Sequence, residues 1–553
     1  MISGLRSERD GDPRCVPKLM GADAELGNSI DGLHKNNGTG GEAALALLRE
    51  VDGVCSIADG PVFDSKGGDV ETGSSGADLY NAYPTDKANL ENPQDVGRKY
   101  LSSNGGCVYI DLNHLEVCTP EVISACDFVA AWLAMLRIIR DALFAANAKC
   151  SPGQRVVVLV NSSDGLGNAY GSHLSFLVTR RLWDDLFTRR LYPALFQLAA
   201  YQVSSIVFSG QGKVGSENGR PDVAYQISQR ADFFDQIVGS QTTYKRPIVN
   251  SRDESLCGSA HARNLSMGAG SGLARLHCIF YDSTLCHVST FLKVGVMQIV
   301  LSMLEAGCLD ISLMLEDPVA ALVSYSHDPG LSAKERLVDG RNVTAVDLQR
   351  MFWECARSYV DSGGCEDLVP GAAFILDLWG DTLDKLAVCD FDALAPRIDW
   401  VLKQAQIQRA LENRGLGWSA PEAKHLDHVY SSLDPDEGMY WPLERAGLTQ
   451  TLVEEAWIER LKSTPPVDTR AWSRAMLLKK LPRECISGVD WDRIELTPVD
   501  PAKGRLILHL PDPLGHTYQD GLGAAECDEE TRMTVESAGR CNETILNRGG
   551  NDQ

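Results

Sequence analysis

Short apolar runs bounded by polar or glycine-rich turns alternate along the chain with longer stretches of three-to-four-residue apolar periodicity. The two patterns together predict strands interleaved with helices. The first element is expected over residues 19–30. Residues 31–104 are rich in Gly, Asp, Ser and Asn and read as a loop-rich insertion with one helical patch at 42–51. A segment of that length inside a compact domain is a lid, a binding loop or disorder. Regular structure then becomes dense. Residues 107–112 (Cys-Val-Tyr-Ile-Asp-Leu) read as a buried strand, and Thr119-Pro120-Glu121 reads as the start of a helix running to about Asn147. Further strands are expected at 155–161, 204–209, 223–228, 247–251 and 274–281, with helices at 182–201 and 288–306. The chain is mainly helical from 344 to 414 and again near 452–481, and a short β-like segment follows at 504–510. Strands with polar ends separated by helices indicate an α+β enzyme core. Residues 1–17 and 521–553 are polar and aperiodic, which predicts a flexible N-terminus and a disordered tail.

Composition narrows the function. With 44% hydrophobic and 23% charged residues over 553 positions, most of the chain is expected to fold. A net charge of −23 repels nucleic-acid phosphates and anionic membrane surfaces, so neither is an expected partner. The richest apolar stretch read from the sequence, 128–146, is broken by Arg137, Arg140 and Asp141, and no signal-peptide pattern opens the chain. The sixteen cysteines never form a Cys-x-x-Cys pair and sit in apolar runs, as reduced thiols of a cytoplasmic protein do.

Four constellations carry polar chemistry. Tyr109-x-Asp111-x-x-His114-x-Glu116 lies at a strand end, with Tyr109 and Asp111 on one face. Its two carboxylates are either a hard-cation site with a general base or nucleophile, or two exposed loop acids. Asn161-x-x-Asp164-Gly165-x-Gly167-x-x-Tyr170-Gly171-Ser172-His173 is either a phosphate-approaching turn or an ordinary glycine turn. Arg230 and Arg252 stand at strand ends, suited to phosphate or to neighbouring acids. His277, in Arg275-Leu276-His277, is a core histidine unless acids converge on it.

Taken in order, these segments resemble the Pup ligase and Pup deamidase/depupylase family, from about Met20 to Arg474. The opening motif of that family is similar to Gly21-Ala22-Asp23-Ala24-Glu25-Leu26-Gly27, and its distal motifs to Trp418-Ser419-Ala420-Pro421 and Asp468-Thr469-Arg470-Ala471. The resemblance implies a glutamine synthetase-like large domain over 18–440, with a curved, mainly antiparallel sheet flanked by helices, and a small C-terminal domain over 441–520. It also implies Asp111 as the catalytic residue and Asp23, Glu25, Tyr109, Glu116 and His277 as metal-side residues. Asn161, Arg230, Arg252, Trp418 and Arg470 then stand at the nucleotide. The implied cofactors are ATP, or ADP plus phosphate, and Mg2+; the implied partner is a small Pup-like or ubiquitin-like modifier and its conjugates.

The two-residue spacing between Asp111 and His114, the wording of 468–471 and the long insertion are closer to the deamidase/depupylase branch. That branch implies cleavage of an amide or isopeptide bond at the modifier's C-terminal Gln or Glu, in proteasome-linked turnover. The alternatives are ligation of the modifier to protein lysines through an acyl phosphate, and a nucleotide-binding pseudoenzyme. Three departures bear on the last: Asp23 for a glutamate, Leu174 where a carboxylate is expected beside the site, and His287 where the family has an acid.

Overall fold

The computed structural model describes residues 14–34, 38–55, 97–188, 192–253, 272–497, 506–516, 529 and 531–537. Its centre is an eight-stranded sheet in the order β12-β7-β1-β5-β4-β3-β2, with β6 also paired to β1. The strands are β1 (Met20–Asp31), β2 (Val54–Cys55), β3 (Lys99–Tyr100), β4 (Cys107–Asp111), β5 (His114–Cys118), β6 (Arg155–Leu159), β7 (Ser172–Thr179) and β12 (Leu273–Cys278). Every pairing in it is antiparallel. Two small pairs lie outside it: β8 (Lys213–Val214) with β9 (Tyr225–Gln226), antiparallel, and β10 (Phe234–Gly239) with β11 (Arg246–Asn250), parallel.

The twelve residues of β1 make it the hub of the sheet. Its first half pairs with both β5 and β7, and its second half turns to β6. Alternate residues Ala22, Ala24 and Leu26 enter the main core, together with Val108, Ile110, Leu115, Val117, Leu174 and Phe176. Helices Gly40–Glu50, Ala125–Asn147, Tyr192–Ser209 and His287–Ala306 cover that face and fill the same core. His287–Ala306 has the length and hydropathy of a membrane span, and every residue of it from His287 to Glu305 is buried inside the protein.

A second core joins Leu477, Leu478 and Leu481 to a three-stranded antiparallel sheet of Ile486–Asp490, Arg493–Leu496 and Leu506–His509. It also takes in Tyr100, Cys107, Tyr109 and Cys118, so this C-terminal unit leans on the β3-β4-β5 corner of the large sheet. Tyr100 fixes the contact by donating to Asp490 at 3.1 Å and packing edge-on to Trp491.

Several expectations are corrected. The long helix begins at Ala125 under a Ser124 cap, because Thr119 is taken up by the sheet, where its Oγ1 accepts from Ala22 N at 2.9 Å. Residues 204–209 finish a helix, in which Ser204, Ser205 and Ser209 return their hydroxyls to carbonyls three or four residues back. The helix expected over 182–201 is two, Arg180–Phe187 and Tyr192–Ser209. At the N-terminus Val16 is buried and its N–H donates to Glu305, whose carboxylate also pairs with buried Lys18, so the chain is already fixed before residue 18. In the tail, residues 531–537 are helical and Val535 joins the second core. Most of the insertion, 56–96, lies outside the described residues.

Candidate functional site

Strand parity puts the polar side chains on the face opposite the main core. Asp23 and Glu25 alternate with the core residues of β1, Tyr109 and Asp111 with those of β4, His114 and Glu116 with those of β5, and Arg275 and His277 with Ala274 and Leu276 of β12. The ladders bring them level: Glu25 faces Glu116, Glu116 faces Tyr109, and Asp23 faces His173. Two clusters result. The ligand atoms of Glu25, Asp111 and Glu116 lie within 4.8 Å of one another, as do those of Asp23, His173 and His277.

The first cluster offers oxygen donors alone. Burial and the charge of Asp111 push the Glu25 carboxyl up to about 7. Burial, with the charges of Asp23, Asp111 and Glu25, pushes Glu116 well above the usual carboxylate range. Three carboxylates packed together at such electrostatic cost fit a hard divalent cation such as Mg2+, which takes carboxylate oxygens. In the second cluster Asp23 Oδ2 is 3.4 Å from His173 Nδ1 and 3.8 Å from His277 Nε2, and Asp23 Oδ1 is 3.9 Å from Arg275. Burial raises the Asp23 carboxyl, but the bond from His173 and the charges of His173, His277 and Arg275 outweigh it and hold it well below the usual range. Burial and Arg275 press His277 well below its ordinary value, and neither of its ring nitrogens has a hydrogen-bond partner.

Asp111 ends β4 at a two-residue turn, Leu112 and Asn113, with φ of 43° and 74°. Positive φ at both positions is the mirror-image turn that suits a tight hairpin, and asparagine tolerates it far better than leucine. Asn28 pins the turn: its Nδ2 donates to Asn113 O at 3.1 Å and to Gly40 O at 2.7 Å, and its Oδ1 accepts from Leu115 N at 2.8 Å. His114 Nδ1 donates to Leu26 O at 3.0 Å, and its ring stacks on Tyr170, 4.2 Å between centroids.

The other expected site residues fall in three places. Asn161 accepts from Tyr170 Oη at 2.6 Å directly over β1; a Cβ at Gly27 would come within 2.4 Å of Asn161 Oδ1, so this approach requires glycine. Arg230 is buried on the Glu25 side, and Arg252 lies where its charge reaches Arg275 and His277. Trp418 packs on Tyr225 at 5.4 Å, on the small β8–β9 pair. Arg470 is corrected: its Nε donates to Glu121 at 2.8 Å and it shares that buried carboxylate with Arg474. These two arginines hold Glu121 down to about 2 against its burial, so the guanidinium of Arg470 is spent on the joint between the C-terminal unit and the sheet.

Two of the sequence departures also change meaning. Leu174 points into the main core, so a leucine there takes no carboxylate from the site face. His287 Nδ1 accepts from Leu452 N at 3.3 Å and its Nε2 lies 3.8 Å from Glu444, a packing role. The sequence places His173, Arg275 and Arg246 within candidate constellations but assigns none of them a role in the site. For His173 the missing signal was β7 itself, without which its parity with Asp23 is invisible.

Comparison with known proteins gives consistent results. The family described as Pup-ligase protein matches residues 18–495. A depupylase of Acidothermus cellulolyticus is 36% identical over 403 residues, 72% of this chain and 76% of the relative. A Pup–protein ligase of Acidimicrobium ferrooxidans is 34% identical over 415 residues, 74% of this chain and 85% of the relative. Among solved structures, the Pup ligase PafA in complex with ADP superposes with a TM-score of 0.67 at 25% identity, covering 86% of this chain and 97% of that one.

Proposed function

Because the chain belongs to the Pup ligase family, we propose that it is a cytoplasmic, ATP- and magnesium-using hydrolase of the deamidase/depupylase type. Its substrate is the amide or isopeptide bond at the C-terminal Gln or Glu of a small Pup-like modifier. The observation that carries this reading is the placement of Asp111 within 4.8 Å of Glu25 and Glu116, at the turn that closes the β4–β5 hairpin rather than in the middle of a strand.

Glu25 and Glu116, with Tyr109 beside them, would hold the magnesium ion, and Asp23 and His277 would form the neighbouring cation position. Bound magnesium would offset the charge of these carboxylates and polarise the bond to be cut. Asn161, Arg230, Arg252 and Trp418 are the residues proposed for the nucleotide side. Asp111 attacks the carbonyl carbon or takes the proton of the attacking water, the C–N bond breaks, and one water is consumed for each amine released.

Ligation through an acyl phosphate is the second reading, favoured by the ligase among the relatives. The purified protein, given ATP, Mg2+ and a modifier ending in Gln, is expected to release ammonia. Formation of modifier–lysine conjugates without ammonia establishes ligation instead, and nucleotide binding with neither product overturns both readings in favour of a pseudoenzyme.

A further inference from the structure

Two turns border Asp111, and each presents a leucine to solvent. Leu112, the residue after Asp111, is 53% exposed, and Leu166, at the tip of the glycine-rich turn, is 86% exposed. The turns are neighbours: His114, which closes the hairpin, stacks on Tyr170 at 4.2 Å between centroids, and the charges of Asp111 and Asp164 both reach it. An exposed leucine is ordinary on a protein surface. What sets these two apart is the backbone beneath them.

Leu112 has a φ of 43°. That region costs a leucine stability that asparagine or glycine would keep, and a side chain more than half exposed recovers little of it from packing. Strain held at an exposed apolar residue beside a candidate catalytic carboxylate points to a use for that side chain. Asn28 holds the turn in place through Asn113 O and Leu115 N. Leu166 stands between Gly165 and Gly167, with φ of 70° and 103°. Every amide from Asp164 to Asn168 is taken: Asp164 N donates to Asn168 O, Gly165 N to Ser163 Oγ, Leu166 N and Asn168 N to Asp164 Oδ1, and Gly167 N to Glu217 Oε1. A phosphate cradle works through free amides, and these five are spent. What the turn offers a ligand is the side chain at its tip.

We propose that Leu112 and Leu166 form an apolar rim beside Asp111 that seats an apolar side chain of the substrate polypeptide, in the segment just ahead of its terminal Gln or Glu. Both turns are fixed by hydrogen bonds from within the protein, so the leucines are held out before the substrate arrives and little order is lost on binding. An apolar side chain placed against them buries surface that the free protein leaves in water. The choice of occupant rests on the function proposed above.

The test uses the full chain with ADP and Mg2+. The probes are two short fluorescent peptides ending in Gln, one with leucines and one with serines in the segment before it, and binding is read by anisotropy. Wild-type protein is expected to bind the leucine peptide more tightly. L166S and L112N are expected to weaken that binding about 5- to 10-fold, to change the serine peptide less than about twofold, and to leave ADP affinity as it was. L112N carries a second signature: it relieves the positive φ, so its thermal midpoint should rise by about 1–3 °C while its peptide binding falls. Wild-type protein that does not tell the peptides apart, or variants that bind the leucine peptide as wild type does, overturn the rim. A fall in midpoint for L112N makes Leu112 a packing residue and removes it from the rim. Cleavage of both peptides with equal KM keeps the proposed enzyme and rejects the rim. Leucine-dependent binding by a protein that cleaves and conjugates nothing leaves the rim standing and removes the proposed enzymatic function.

Discussion

The two clusters beside β1 are built by residues only two positions apart, yet their electrostatics are opposite. Glu25, with Asp111 and Glu116, gathers three acids, and the result is that the Glu25 and Glu116 carboxyls are pushed up. Asp23, with His173 and His277, has one acid among two imidazoles and Arg275, and its carboxyl is pushed down. Burial acts on both clusters alike, so the difference comes from the company each carboxylate keeps. Without a cation the all-oxygen cluster holds protons at neutral pH, and a bound cation would displace them. The mixed one already has most of its charge balanced, and it offers nitrogen donors that a magnesium ion values less than a transition metal does.

The largest effect that separates the clusters is expected at Asp111, the one member placed at a turn. D111N should lower ammonia release or conjugate cleavage by about 10²- to 10⁴-fold while leaving nucleotide affinity in place. Intact activity in this variant removes Asp111 from the chemistry and leaves the first cluster as a cation site only.

A second effect is a pH dependence with a definite sign. In cation-free protein the folded-state carboxyl of Glu25 titrates at about 7, above its unfolded value of 4.5. A raised carboxyl contributes stability that is complete below pH 4.5 and is lost as pH rises through about 7. The size for Glu25 alone is about 3 kcal/mol, and Glu116 shifts in the same direction. Urea midpoints in the presence of chelator should therefore fall from pH 5 to pH 8, Mg2+ should restore them at pH 8, and E25Q should flatten the slope. A midpoint that rises over this interval contradicts the picture of crowded acids.

His277 tests the other cluster. H277A should weaken binding of a second divalent cation about tenfold or more, read with Mn2+ by calorimetry or electron paramagnetic resonance, and should leave the first site nearly unchanged. Equal weakening at both sites means that the clusters form one unit.

How far these clusters were legible in the sequence follows from the same parity. Tyr109 and Asp111 lie in an apolar alternation, so the face they share is readable from β4 alone, and Asp23 and Glu25 alternate in the same way on β1; Glu116 sits on β5, which the sequence does not mark as a strand. His173 was not, because the Ser172–Thr179 strand begins directly after a glycine-rich turn and its alternation is diluted by serine, histidine and threonine. Leu174 was misread for the same reason: without the strand, a missing acid looked like a lost ligand, when the position faces the core. Arg470 failed differently. Its motif was plain, but its partner Glu121 is 349 residues away in sequence, and only the docking of the C-terminal unit on the sheet brings them together. The helix start at Thr119 was lost to long-range pairing too, since Ala22 claims its hydroxyl. Local signals predicted which residues are polar at strand ends; they did not predict which of those had already been claimed by distant partners.

The smallest expected effect is at Asp23, where the resemblance implies a glutamate. The aspartate keeps Oδ2 at 3.4 Å from His173 and 3.8 Å from His277, a spacing set by the β1–β7 and β7–β12 registers rather than by the side chain. One more methylene would push the carboxylate toward Arg275 or toward the gap between the clusters. D23E should then change affinity for the second cation by only a few-fold, because charge and donor type are conserved and the glutamate has rotamer freedom to adjust. D23N, which keeps the length and removes the charge, should cost more than D23E. If D23E proves the worse of the two, the mixed cluster is governed by geometry rather than by charge. The contrast with the acid cluster would then be one of shape.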